Sequence, residues 1–254
     1  MLSLTQNIVI LFVAMLASLG FMAGLNRVWP IKKRYAGSDQ VGWQLSVLGT
    51  TYAVILGFML YNEWTNFRAA GLTVDLEASA LRNIYRLSEA LPQPQRQEME
   101  DLAHAYAQAA IEQDWPQMQA GVLPTGTHGS NERMWKTLLA VRAVNGSETL
   151  AQGQALGELT TLTTHRRTRL LESRTHLPAI FWAVLLVGGV LTTLSVSMFG
   201  SVSPKLHTFQ VFSLTLLVTL AMLAIADVSS PFRGWVHISD FAFERALENM
   251  SELE

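Results

Sequence analysis

The chain contains no cysteine, which excludes disulfide staples, thiol nucleophiles and thiolate metal centres. Histidine is scarce as well: the six stand at positions 104, 128, 165, 176, 207 and 237, and no two are three or four residues apart. The helix-borne pair that holds a zinc ion is therefore missing. No glycine-rich phosphate loop and no nucleophile elbow occur. Charged residues make up only 15% of the chain and nearly cancel to a formal net charge of -2, which leaves no basic block for nucleic acid. Glu98, Glu100, Asp101, Glu112 and Asp114 fall where a solvated helix face is expected, so the chain reads as non-enzymatic, without metal, cofactor or nucleic-acid partner.

Apolar residues, by contrast, are abundant: half of the 254 residues are hydrophobic, and they are gathered into runs longer than a soluble core needs. Four runs reach the roughly 20 residues that cross a bilayer core. They span about 7–29, 41–62, 177–199 and 206–228. The sequence therefore predicts an all-α, polytopic membrane protein with two transmembrane hairpins, 1–62 and 177–230, and a C-terminal tail, 231–254. Trp29 and Trp43 mark one interface, and Trp64, Trp182 and Trp235 the other.

Between the hairpins, residues 63–176 form the one stretch large enough to fold in water. The second span runs on past Tyr61 with no proline before Pro92, while charges begin to fall between apolar residues at helical spacing. The segment from Glu148 through Arg174 into the third span mirrors it. The extramembrane domain is thus expected as long helical extensions of spans two and three. Two amphipathic helices join them: Gln95–Met118, with Met99, Leu102, Ala103, Tyr106, Ala110 and Ile111 on one face, and Asn131–Val144. The intervening GVLPTGTHG at 121–129 reads as a loop.

Within the spans, Gly49, Ala53 and Gly57 repeat every four residues and allow close helix approach, inside one chain or between subunits. Thr50, Thr51 and Tyr52, followed by Ile55, Phe58 and Met59, could line a pore, although hydroxyls in membranes also serve helix packing. No span carries a charge in its middle, which argues against an ion-driven carrier. Asp227 ends the fourth span, either as an ion pair with Arg233 or the nearby arginines, or as a gating carboxylate. Arg166, Arg167, Arg169 and Arg174 precede the third span, as an anion-attracting vestibule or as contacts to lipid phosphates. Their charge places residues 63–176 on the cytoplasmic side, whereas Arg27, Lys32, Lys33 and Arg34 after the first span place them outside.

A set of motifs spread along the chain adds a resemblance. Leu56-Gly57-Phe58 followed by Trp64, Glu77-Ala78, LRNIYR at 81–86, Tyr106, Trp115-Pro116, RRTRL at 166–170, Leu177-Pro178, and Asp227 with PFRG at 231–234 resemble the bestrophin-like DUF4239 family of membrane proteins. That family is named for a distant similarity to bestrophins, pentameric anion channels whose pore is lined by the second membrane helix and narrowed by apolar and aromatic side chains. The resemblance implies a homo-oligomer in the cell membrane, a pentamer conducting small inorganic anions, with its helical domain in the cytoplasm. The acidic cluster with which bestrophins hold calcium has no counterpart here. A membrane-anchored helical scaffold or sensor, acting through residues 63–176 without conduction, is the alternative expectation.

Overall fold

The computed structural model describes residues 4–175 and 177–252, and among them there is no strand. Its helices are α1 (Leu4–Val28), α2 (Ile31–Arg34), α3 (Ser38–Ser88), α4 (Gln95–Ala109), α5 (Trp115–Ala120), α6 (His128–Ala140), α7 (Gly146–Glu172), α8 (Ala179–Met198), α9 (Pro204–Val228) and α10 (Phe241–Ser251). A single π-helical turn, Ala110–Asp114, links α4 to α5. Four of these helices, α1, α3, α8 and α9, are long and apolar enough to cross a membrane. The expected all-helical, four-span architecture is present. His176 and the last two residues of the expected tail lie outside the described residues.

The chain divides into two compact units, one from residues 1–65 and 176–229, the other from residues 66–175 and 230–254. Helix α3 is continuous over 51 residues and gives its first part to one unit and its last part to the other. At 1.5 Å per residue it is about 75 Å long. The corresponding extension of the third span is not continuous. Helix α7 ends at Glu172 and α8 starts at Ala179, because Pro178 has no backbone N–H to donate and biases Leu177 away from helical geometry.

In the first unit α1, α8 and α9 pack together, with Met22, Val196 and Val211 at a small core and Leu19, Leu45 and Leu214 against it. Ser18 and Thr215 satisfy each other by a 2.8 Å hydrogen bond, as buried hydroxyls in lipid must. Tyr52 ties α3 to this group: it is 4% exposed, and its hydroxyl donates to the Leu185 carbonyl at 2.8 Å. A glycine lets the ring approach, since a Cβ at position 188 would lie 2.4 Å from Tyr52 Cδ2. Gly188→Ala is therefore expected to cost about 1–3 kcal/mol by overpacking, seen as an earlier thermal transition of the detergent-solubilised protein.

The second unit has the larger core. Leu81 and Ile84 of α3 meet Met99 and Tyr106 of α4, Met118 of α5, Leu138 of α6 and Leu159 and Leu162 of α7. Full burial of each such aliphatic side chain contributes about 1.5–3 kcal/mol. The apolar face read from the sequence on Gln95–Met118 is the buried one, with Ile111 partly covered. The C-terminal tail belongs to this core too: Phe243, Ala246 and Met250 of α10 are buried in it, and Trp115 meets Phe232 and Phe243 edge-on.

Candidate functional site

Helix α3 offers the first candidate. In its membrane-spanning window only 6% of residues are buried by the rest of the chain, against 39% for α9. At 100° per residue Thr51, Ile55 and Phe58 share one face. Thr51 is exposed, Ile55 half-buried and Phe58 69% exposed. Thr50 is exposed on the neighbouring flank, next to Gly49, Ala53 and Gly57. Among the described residues, no atom beyond the helix's own adjoining backbone lies within 4 Å of a Cβ built at Gly49 or Gly57, and Ala53 between them is exposed, so these small residues are not used in packing against other described helices. Tyr52 and Met59, seven residues apart, share the opposite flank, where Tyr52 is committed to α8. The six pore candidates thus occupy three sides of one helix.

Within the same unit, a cavity of about 580 Å³ lies between α1, α8 and α9. Phe21, Trp182, Leu186 and Met222 are among its lining residues; of its four hydroxyls, those of Ser18 and Thr215 are bonded to each other, and Thr193 and Thr219 supply the other two. Most of this lining is apolar, and among the described residues it carries no charged side chain to hold an ion.

The second unit holds a network that sequence reasoning missed. Glu77 on α3 replaces an apolar residue in the stripe Ala70, Val74, Leu81 and Ile84, and that stripe is buried. Arg169 likewise continues the α7 stripe of Ala151, Ala155, Leu159 and Leu162. Both side chains are fully buried. Arg169 Nε donates to Glu77 Oε2 at 2.7 Å, and its Nη2 to Glu77 Oε1 at 2.9 Å and Asp114 Oδ2 at 3.0 Å. Tyr106 donates its hydroxyl to Glu77 Oε1 at 2.7 Å. Asp114 accepts from Gly126 N at 2.8 Å and from the Thr127 hydroxyl at 2.7 Å, and that hydroxyl also accepts from Arg166 Nε. The guanidinium lies 5.2 Å from the centre of the Trp115 ring and 5.9 Å from that of Phe243.

This arrangement settles the electrostatics of the interior. Burial works against the Arg169 cation, but the Glu77 carboxylate, helped by Tyr106 and Asp114, outweighs it and holds the guanidinium charged. Burial and then Glu77 push the Tyr106 hydroxyl well above its ordinary value, so it stays a donor. Asp114 reaches the centre by helical spacing: Tyr106, Ala110, Asp114 and Met118 follow one another at four-residue intervals and all are buried, and the π-helical turn over Ala110–Asp114 lies at this place.

Two expectations change accordingly. Asp114 does not belong to a solvated face; it is fully buried because it follows Ala110 by four residues and so shares the apolar face of α4, where Arg169 and Thr127 satisfy its carboxylate. Arg169 is no part of an exposed vestibule, being enclosed by two carboxylates, whereas Arg166 is half-buried on Thr127 and Arg167 and Arg174 remain exposed. Arg233 gives its Nε–H to the Met118 carbonyl at 2.8 Å, and Asp227 is buried near the end of α9. No group of three His, Asp or Glu side chains able to hold a metal occurs among the described residues.

Glu172, at the end of α7, has a different environment. Its Oε2 is buried without a hydrogen-bond partner, and burial pushes its carboxyl up to about 7, the Thr73 hydroxyl drawing it part of the way back. A carboxyl raised from 4.5 to about 7 leaves the unfolded chain ionised first, so stability is lost as pH climbs through that interval. Glu172→Gln should abolish this loss and stabilise the protein at pH 8 by about 1–2 kcal/mol, after discounting for partial solvent screening. Melting curves at pH 5 and pH 8 check it, with the mutant gaining only at the higher pH.

Four apolar spans, an uncovered polar-to-apolar face on the second and a helical unit built on its continuation define a polytopic, all-helical membrane protein. The Bestrophin-like domain family matches residues 12–243, and the chain belongs to that family. Its fold is similar to that of a bacterial bestrophin homologue from Klebsiella pneumoniae, with a TM-score of 0.69, 16% identity and coverage of 95% of this chain and 97% of that one. Two single-residue variants of the Klebsiella pneumoniae homologue give TM-scores of 0.70 and 0.71 at 15% identity, each covering 96% of this chain and at least 98% of theirs. At such identity the likeness is one of fold. No curated protein matches the chain.

Proposed function

We propose that the protein is the subunit of a homo-oligomeric ion channel, selective for small anions, in which copies of α3 surround the pore. The observation that carries this reading is the uncovered face of α3. Thr51, Ile55, Phe58, Asn62 and Thr65 alternate at three- and four-residue spacing, the periodicity with which helices gather around a common axis. Ile55 is half-buried and the other four are exposed in the single chain. A second copy is the natural occupant of the adjoining flank, where Gly49, Ala53 and Gly57 permit close backbone approach. The stripe has hydroxyls at Thr51 and Thr65, an amide at Asn62, a phenyl ring between them and no carboxylate, which suits a weakly held anion better than a cation. Exposed Arg167 and Arg174 would raise the anion concentration near the entrance, with the helical unit on the cytoplasmic side.

The test is anion flux into liposomes containing the purified protein, with the oligomeric state measured on the same sample. Selective flux from a closed ring supports the reading; a monomer without flux sinks it. A second reading, a membrane-anchored scaffold, draws on a cavity of about 490 Å³ lined by Asn83, Arg86, Leu87, Gln154, Gly157 and Glu158, polar enough to receive a partner's side chain. Under that reading Arg86→Glu removes partner binding and Phe58→Ala changes nothing measurable.

A further inference from the structure

Arg34 and His207 form a second polar centre, within the first unit and separate from the α3 face. Arg34, in the short α2, is 2% exposed, and His207, in the first turns of α9, is fully buried. Arg34 Nη1 donates to the Ser197 carbonyl at 2.7 Å, and Nη2 donates to Asn26 Oδ1. His207 Nε2 lies 3.1 Å from the Val196 carbonyl. A carbonyl can only accept, so Nε2 carries the proton. The two side chains are therefore moored to consecutive carbonyls at the end of α8. The 199–203 loop presses on the same place, since a Cβ at Gly200 would lie 2.4 Å from Tyr35 N.

Each moored side chain keeps one buried nitrogen without a partner: Arg34 Nε and His207 Nδ1. Buried polar atoms in native proteins are nearly always satisfied, and an orphan calls for a water or an ion. The charge balance favours an ion of negative sign. Both partners of Arg34 are uncharged, and no ion pair among the described residues includes it. Residues 26–35 and 196–207, which meet here, contain no Asp or Glu but do contain Arg27, Lys32, Lys33 and Lys205. Those four bases are exposed, as is Asp39 in the first turn of α3, which packs on Phe199 through Gly42; Arg34 is the charged group whose field reaches His207, with Asn26 contributed by α1 and carbonyls by α8. A buried guanidinium without a counter-ion is strongly disfavoured, and the positive end of the 25-residue α9 adds to the field.

We infer that this centre binds a small monatomic anion of the halide class between Arg34 Nε–H and His207 Nδ1. In neutral imidazole Nδ1 presents a lone pair, which repels an anion. Binding therefore takes up one proton, which completes the imidazolium and turns Nδ1 into a second donor. The anion and the proton arrive together and leave together, so the centre keeps its single positive charge while the guanidinium gains an adjacent counter-ion. This inference does not rest on conduction, because the site is read by occupancy rather than flux.

The experiment is thermal unfolding of the purified full-length protein in chloride or bromide against gluconate at equal ionic strength, at pH 5.5 and pH 8. It is paired with a crystal structure of the bromide-soaked protein. Expected are saturable stabilisation by halide, tighter at the lower pH, and an anomalous bromide peak between Arg34 and His207. His207→Gln keeps a donor for the Val196 carbonyl but lacks Nδ1, and should weaken halide affinity about tenfold to a hundredfold, the worth of a charge-assisted hydrogen bond. Arg34→Lys should do the same. A halide effect unchanged by both substitutions, or a water and no bromide at the wild-type centre, overturns the inference. Should Arg34→Lys fail to fold, His207→Gln and the bromide map still decide.

Discussion

Arg169→Met is expected to destabilise the second unit by about 3–5 kcal/mol, the cost of removing one member of a buried charge network. Methionine replaces the volume of the arginine stem, so the loss does not come from a cavity. It comes from leaving Glu77 and Asp114 buried around a vacated cation, with Tyr106 as the remaining donor to Glu77 and Thr127 and Gly126 as those to Asp114. Arg169→Lys should recover only part of the loss, because an ammonium cannot donate to both Glu77 oxygens and to Asp114 in the planar geometry that the guanidinium supplies. Arg167→Met, two residues away and exposed, should stay within about 0.5 kcal/mol of wild type. Thermal melts followed by tryptophan fluorescence are well suited, since Trp115 lies against the guanidinium. Equal losses for Arg167→Met and Arg169→Met would show that the arginine run matters by net charge rather than through this network.

That network marks where reading the chain in one dimension ran short. The spans, the long second helix and the amphipathic face of α4 were legible, because each is written as a local periodicity of apolar residues. Glu77 and Arg169 were legible in principle, as charges occupying buried stripe positions at three- and four-residue spacing. They were passed over because nothing local says that the two stripes, 92 residues apart, face each other. Asp114 was legible too, since it falls four residues after Ala110, on the face of Met99, Ala103 and Tyr106 and opposite Glu112; only its charge suggested a solvated position. The break before α8 was visible at Pro178 but was outweighed by the charged-to-apolar pattern that mirrors α3. Arg34 looked like one more base in a hairpin tip; its burial depends on the α8 terminus, far away in the chain.

Phe58→Ala is expected to increase anion flux while leaving the oligomer intact. Phe58 is 69% exposed in the single chain and stands on the α3 face between Thr51 and Thr65, so in a ring of copies the phenyl groups converge at one level. An apolar constriction opposes ions by dewetting, and its barrier falls as the ring of side chains widens. A barrier lowered by about 1.4 kcal/mol raises flux about tenfold. Selectivity among anions of different size should relax at the same time, because a wider passage no longer strips large hydrated ions. Tyr52→Phe separates this effect from packing: it deletes the hydroxyl that reaches Leu185, costs about 1 kcal/mol of stability, and leaves flux near wild type. If Phe58→Ala matches wild-type flux in an intact ring, the uncovered face of α3 serves subunit contact alone and the pore runs elsewhere. If Tyr52→Phe changes flux as strongly as Phe58→Ala, the flank that packs on α8 controls conduction, and gating works by moving α3 against its own subunit.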